Sequence, residues 1–124
     1  MPTRRPSSSV AVYECPSAYV VDGDTLRCGS IRLRLLGIDA PEIGRCPPRR
    51  ECVAGDGLAA KQSLTQALRN GRVTYSIVTT DRYGRAIVMA WAGRVNLSCW
   101  QMQRGHAAYV PRWDNGGLVA AECG

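Results

Sequence analysis

Apolar and polar positions along the chain follow two rhythms. Residues 18–38, "AYVVDGDTLRCGSIRLRLLGI", hold three short apolar runs, the last of which alternates Arg with Leu. Asp22-Gly23 and Gly29-Ser30 separate the runs, and both pairs favour tight turns, so the stretch predicts a three-stranded antiparallel meander. The spacing then becomes helical: in "GLAAKQSLTQALRNG", Ala60, Leu64, Ala67 and Leu68 fall on one face, and Gly71 stands where such a helix stops. "RVTYSIVTT" and "RAIVMAWAG" return to β-branched and aromatic composition and are joined by "DRYG", a second hairpin. Asn96 is placed to cap a final helix running to about Arg104.

The order is three strands, helix, two strands, helix, with no internal repeat. Small two-sided sheets tend to close on themselves to hide their edges, so the expected class is α+β, mainly β. The arrangement it matches is an OB-fold five-stranded Greek-key barrel with two helices and no full third helix, although other α+β sandwiches share this element order. A length of 124 residues suits one domain. Residues 1–12, polar, basic and Pro/Ser-bearing, read as a flexible segment ahead of a domain over 13–124. No apolar run approaches the roughly 20 residues needed to cross a bilayer, and the first residues lack the apolar centre of a signal peptide. The chain therefore reads as soluble and monomeric with no membrane partner, and a removed export signal stays open.

A formal net charge of +6 points to an anionic partner such as nucleic acid. Lys61 is the only lysine, and every other base is arginine, whose planar fork matches phosphate oxygens two at a time. Biased genomic composition explains surface arginines equally well, so only arginines placed by a motif count further. Six cysteines in so short a chain point to disulfides, and none shows the C-x2-C spacing of a zinc knuckle. Cys15 with Cys28 across the first hairpin, Cys46 with Cys52 around "CPPRREC", and Cys99 with Cys123 at the tail is one of about fifteen pairings. It is preferred because the first two loops are short and local. It implies an oxidising compartment, the periplasm or outside the cell; reduced, buried cysteines are the alternative.

Strand three of an antiparallel meander runs in the direction of strand one, which brings "DGDT" beside "GIDAPE". Asp22, Asp24, Asp39 and Glu42 are then expected to gather at one rim, where mutual repulsion calls for a cation among them. Oxygen donors select a hard ion, calcium first and magnesium next. Each acid also has a plainer reading: Asp22 as a turn residue, Asp24 and Asp39 as acceptors for backbone amides, Glu42 as the start of a helical turn. Arg34 in the same strand end, and Arg85 after "DRYG", add two cations, Arg85 being otherwise a solvated turn residue. Carboxylates, a hard metal and paired arginines are what phosphodiester hydrolysis uses. His106 is the only histidine, which excludes two-histidine ribonuclease chemistry and leaves it as a packing residue; no G-x-S-x-G elbow is present.

"VVDGDT", "RLLGIDAPE", "DRYGR" and "VNLSCWQMQRGHAAYV", in that order between Val20 and Val110, closely resemble the staphylococcal nuclease (thermonuclease) family. The resemblance implies an OB-fold, calcium-dependent enzyme that cleaves DNA and RNA by water attack and leaves 3'-phosphate ends. It implies that Asp24 and Asp39 bind calcium through carboxylates, Ala40 through its backbone carbonyl, and that Asp22 supports the metal without touching it. Glu42 would be the general base, Arg34 and Arg85 would hold the scissile phosphate, and Tyr83 and Tyr109 would line the nucleotide pocket, by hydroxyl and ring respectively. The sequence departs from the family in three places. Ala40 replaces a threonine; "GRCPPRREC" after Glu42 adds a disulfide-braced, Arg-rich wall; and the chain ends soon after "RWDNGGLVAAECG", with Cys99–Cys123 standing in for a longer helix. Two readings compete: a catalytically silent binding module for nucleic acid or protein, and a disulfide-stapled secreted inhibitor. Neither has a use for Asp24, Asp39, Arg34, Glu42 and Arg85 together.

Overall fold

The computed structural model describes residues 10–124, so most of the expected flexible segment lies outside the described residues. The predicted meander is present as β2 (Tyr19–Asp22), β3 (Thr25–Cys28) and β4 (Ile31–Leu35), each antiparallel to the next. β6 (Val73–Thr80) and β7 (Ala86–Ala92) form the second hairpin. β7 then runs parallel to β4, with Leu33 opposite Ala86, and a short β1 (Tyr13–Glu14) lines the other edge of β6. The sheet order is β1-β6-β7-β4-β3-β2. Its two ends are consecutive in the chain and only residues 15–18 separate them, so the sheet curls into a half-barrel.

The fold is mainly β and OB-like, with three differences from the sequence pattern. The main sheet has seven strands instead of five, because β1, ahead of the predicted meander and set off from β2 by Pro16, adds to β6, and β8 (Val95–Asn96) adds to β7. β5 (Ile38–Asp39) and β9 (Ala108–Tyr109) form a separate two-stranded ribbon. A short third helix is also present. α1 (Gly57–Ala67) and α2 (Leu97–Gln103) are capped by Asp56 and Asn96, and α3 (Leu118–Cys123) closes the tail.

Leu26, Leu33, Leu35, Ile38, Leu64, Val88 and Leu97 fill the interior between the sheet and the first two helices, and all are essentially without exposure. The three disulfides are Cys15–Cys28, Cys46–Cys52 and Cys99–Cys123, the preferred pairing. The last ties α2 to α3, and each such crosslink contributes about 2–4 kcal/mol.

Asp114 holds the tail from inside. Its carboxylate, fully buried, accepts from the Val119 amide at 2.7 Å, the Ala120 amide at 3.0 Å and the Tyr109 hydroxyl at 2.5 Å. Burial alone would raise its pKa, but the Tyr109 hydroxyl and the two amides outweigh it and hold the carboxyl below the usual range. A carboxyl depressed by folding contributes stability that is complete above its unfolded value, 3.8, and is lost as pH falls through its folded value. Chemical denaturation at pH 7 is expected to show Asp114→Ala less stable by about 3 kcal/mol, since it strands buried donors. The gap to wild type should narrow as the pH is taken below 3.8; a constant gap would contradict the assignment.

Candidate active site

Two turns place the acids. The β3–β4 register sets Thr25 opposite Arg34, and the Leu35 amide donates to the Asp24 carbonyl at 2.9 Å, so Asp24 lies beside the end of β4. β5 follows β4 after Leu36 and Gly37 and is pinned by β9, Asp39 pairing with Ala108. Gly23 allows the "DGDT" turn to pack closely: a Cβ there would come within 2.6 Å of Ala60 and 2.8 Å of Ala40. Gln101, fully buried on α2, locks the same turn to α1 by donating to the Gly23 and Ala60 carbonyls at 2.8 and 2.9 Å. At the start of α1, Gly57 lies against the Glu42 backbone, where any Cβ would collide.

What results is a row of alternating charges, Asp24, Arg34, Asp39, Arg50 and Glu42. Arg34 Nη1 is 2.8 Å from Asp24 Oδ2, and its Nη2 is 3.5 Å from Asp39 Oδ1. Nη1 makes no well-directed hydrogen bond, so that contact is an ion pair and not an oriented bond. Arg50 Nη2 is 3.6 Å from Asp39 Oδ1 and its Nη1 is 3.0 Å from Glu42 Oε2. Arg32 and Arg34 share one face of β4, yet Arg32 is exposed while Arg34, Asp24 and Asp39 are each 7% exposed. The two acids, not the strand pattern, therefore explain a buried arginine. The outer pair is different: Arg50 keeps 45% of its side-chain surface and Glu42 31%, a setting in which an ion pair contributes about 0.2–1 kcal/mol.

The acids of this row are separated by guanidinium groups. Among the described residues no three His, Cys, Asp or Glu side chains converge as a metal cage, because Arg34 and Arg50 occupy the spaces between the acids. Asp22 lies beside Asp24 and accepts from the Asp24 amide at 3.1 Å. Burial, reinforced by the Asp24 charge, raises its pKa from 3.8 to about 6. Burial also pushes Asp39 up, against the opposing charges of Arg34 and Arg50. Asp24 is organised by its neighbours: Oδ2 accepts from the Ala40 amide at 2.8 Å and Oδ1 from the Thr25 hydroxyl at 3.1 Å.

The parallel β4–β7 pairing brings Arg85, one residue ahead of Ala86, to the same side as Arg34. Both line an open cleft of about 420 Å³, together with Tyr83, Arg82, Arg112 and Trp113. Asp81 aims Arg85: its carboxylate takes the Arg85 Nε at 2.7 Å and the Arg85 and Tyr83 amides at 3.0 and 2.9 Å. Burial would raise the Asp81 pKa, but these bonds outweigh it and hold the carboxyl low. The Arg85 guanidinium also lies 5.8 Å from the Tyr83 ring centre. Tyr109 is not among the residues lining the cleft; its hydroxyl is committed to Asp114. Trp113 lines it instead, with Arg34 5.6 Å from its ring centre. His106 is half-buried between α2 and β9 in sequence and faces no site acid among the described contacts.

Asp24 and Asp39 offer hard oxygen donors beside the Ala40 backbone, a donor set that fits calcium or magnesium better than a soft metal. Fold and site together define a small OB-like domain whose acid–guanidinium row opens onto a basic, aromatic cleft. The family model of staphylococcal nuclease homologues matches residues 32–118, and the chain belongs to that family. A search of curated proteins gives no match. The family match begins at Arg32, so Asp22 and Asp24 join the site through the hairpin register and not through the matched region.

Proposed function

We propose that the protein is a calcium-dependent nuclease that hydrolyses phosphodiester bonds of DNA and RNA and leaves 3'-phosphate ends. The observation that carries this reading is Arg34: buried between Asp24 and Asp39 on one side, it lines the same cleft as Arg85 on the other. An arginine so placed presents a fixed cation to a phosphate while keeping two carboxylates together. Its family usually hydrolyses phosphodiesters, which agrees.

Asp24, Asp39 and the Ala40 carbonyl would hold the calcium ion, which when bound polarises a phosphoryl oxygen. Arg34 and Arg85 fork onto the scissile phosphate and stabilise the charge that grows on its oxygens. Glu42, more exposed than the other acids, accepts a proton from the attacking water. Tyr83 and Trp113 offer ring faces to a base, while the Tyr109 hydroxyl donates to Asp114, next in sequence to Trp113. In this reading β1 and β2 are two halves of one strand, and with β3, β4, β6 and β7 they make up the five-stranded Greek-key barrel of residues 13–124. The chain acts as a monomer, and three disulfides suit a secreted or periplasmic protein. No helix among the described residues is long and apolar enough to cross a membrane.

Analysis of product ends tests the reaction. Fragments from DNA and RNA are expected to resist 3' extension by a polymerase until a phosphatase is added; fragments extended at once would contradict the stated cleavage side. Asp81 supplies a further check. Asp81→Ala is expected to lower turnover by about 10-fold or more with a small change in melting temperature, because misplacing a reacting group by an ångström costs up to about 100-fold. Unchanged turnover would show that Arg85 needs no such aim.

A further inference from the structure

Residues 44–52, "GRCPPRREC", carry three arginines, of which Arg50 reaches the site, and a disulfide between Cys46 and Cys52 closes the segment. Arg49 adopts a left-handed backbone conformation, φ 65°, disfavoured for a residue with a Cβ. The chain turns there, and the next side chain, Arg50, reaches back to Glu42 at 3.0 Å and Asp39 at 3.6 Å. Arg34, the other arginine in the row, is 9% exposed by side chain and held between two buried acids; Arg50 is 45% exposed and meets a partner that is itself open to solvent.

We propose that Arg50 is a third phosphate-binding arginine, parked on Glu42 and Asp39 in the free protein and transferred to a backbone phosphate when single-stranded nucleic acid binds. The inference rests on the nuclease reading of the same site and adds to it the residue that couples substrate entry to release of the base. A guanidinium fork fits a carboxylate and a phosphate alike, so the exchange swaps one anion for another. Because the Arg50–Glu42 pair is already partly in water, its attraction is screened and little is lost when it opens. The exchange also frees Glu42 Oε2 at the moment a water must be deprotonated. The disulfide keeps the loop short and Arg50 within reach of both positions.

The test is binding of a fluorescent single-stranded DNA of about 12 nucleotides, within the usual span of an OB-fold site, in chelator so that no cleavage occurs. Affinity is measured across a salt series for wild type, Arg50→Ala, Arg50→Lys and Arg72→Ala, the last removing a charge that pairs with Glu14. One lost phosphate contact lowers the slope of log affinity against log salt by about 0.7 on a single strand. Arg50→Ala is expected to show that fall with about 5- to 10-fold weaker binding, Arg50→Lys to keep the slope, and Arg72→Ala to keep slope and affinity. Cleavage assays with calcium should then place the Arg50→Ala defect in KM. An unchanged slope for Arg50→Ala in a wild type that cleaves overturns the proposal and leaves the nuclease reading standing, as does a defect confined to kcat. A wild type that shows the Arg50-dependent slope but cleaves nothing supports the phosphate contact and rejects the nuclease reading. A wild type that binds no DNA rejects both.

Discussion

Glu42→Gln is expected to lower turnover by about 100-fold or more, the usual worth of a positioned general base, at nearly unchanged stability. The substitution keeps size and shape, removes the ability to take a proton, and gives up with the charge only the exposed ion pair to Arg50. Glu42 is the right residue for so clean a test because its side chain is 31% exposed and its one ionic partner, Arg50, is more exposed still. Little folding energy is stored there. Asp24 and Asp39, each 7% exposed and bound to Arg34, cannot be replaced without disturbing their surroundings. The check is an initial-rate assay on a single-stranded oligonucleotide with calcium, beside a thermal melt. A fall below tenfold would remove Glu42 from its role.

Arg34→Ala carries the largest combined effect. The Arg34 guanidinium is the only cation within ion-pair distance of Asp24 among the described residues, and it shares Asp39 with Arg50. Removing one partner of a buried ion pair costs about 3–5 kcal/mol, because the remaining charges stay buried without compensation. Set against a total of about 5–15 kcal/mol for a domain, that is a substantial fraction. Denaturant unfolding in chelator should show it. Calcium is expected to restore part of the loss, raising the unfolding midpoint of Arg34→Ala more than that of wild type, since a cation then returns between the acids. Turnover should drop by about 100-fold or more even at saturating calcium, as for loss of one donor to transition-state charge. Arg34→Lys, which keeps the charge and loses the fork, is expected to recover stability better than activity. A stable Arg34→Ala with normal turnover would contradict both halves of the prediction.

Much of the fold was legible because its signals are local. Asp22-Gly23, Gly29-Ser30 and "DRYG" mark hairpins that are present, and Asn96 caps α2 as its position predicts. Short local loops favoured Cys15–Cys28 and Cys46–Cys52, and Cys99–Cys123 was the pair that remained. The short β1 and the six-residue α3 were not legible: one is a two-residue strand ahead of Pro16 whose partner is the distant β6, the other depends on Asp114. Nothing in "RWDNGG" marks that carboxylate as buried, since its partners Tyr109, Val119 and Ala120 meet it only after the tail has folded back. Gln101 was hidden for the same reason.

The site divides in the same way. Asp24 and Arg34 converge through a hairpin register written in nearby residues, whereas Asp39 is held by a ribbon to Ala108, far along the chain. Arg50 was visible only as one arginine of three in the 44–52 segment; its contact with Glu42 depends on the turn at Arg49 and has no counterpart in hydrophobic pattern. Trp113 lay beyond the stretch of resemblance, which ends at Val110, although an aromatic beside Arg112 was a signal available to find it. Tyr109 shows the reverse: it sits within the motif, yet its hydroxyl holds Asp114 and it leaves the cleft wall to Trp113.

A single comparison bears most directly on a metal-dependent phosphodiesterase built from this row of charges: end-labelled single-stranded DNA and RNA incubated with wild-type protein in calcium or in chelator. Cleavage of both strands in calcium and none in chelator is the predicted result. Cleavage that persists in chelator, or intact strands in both, would contradict it.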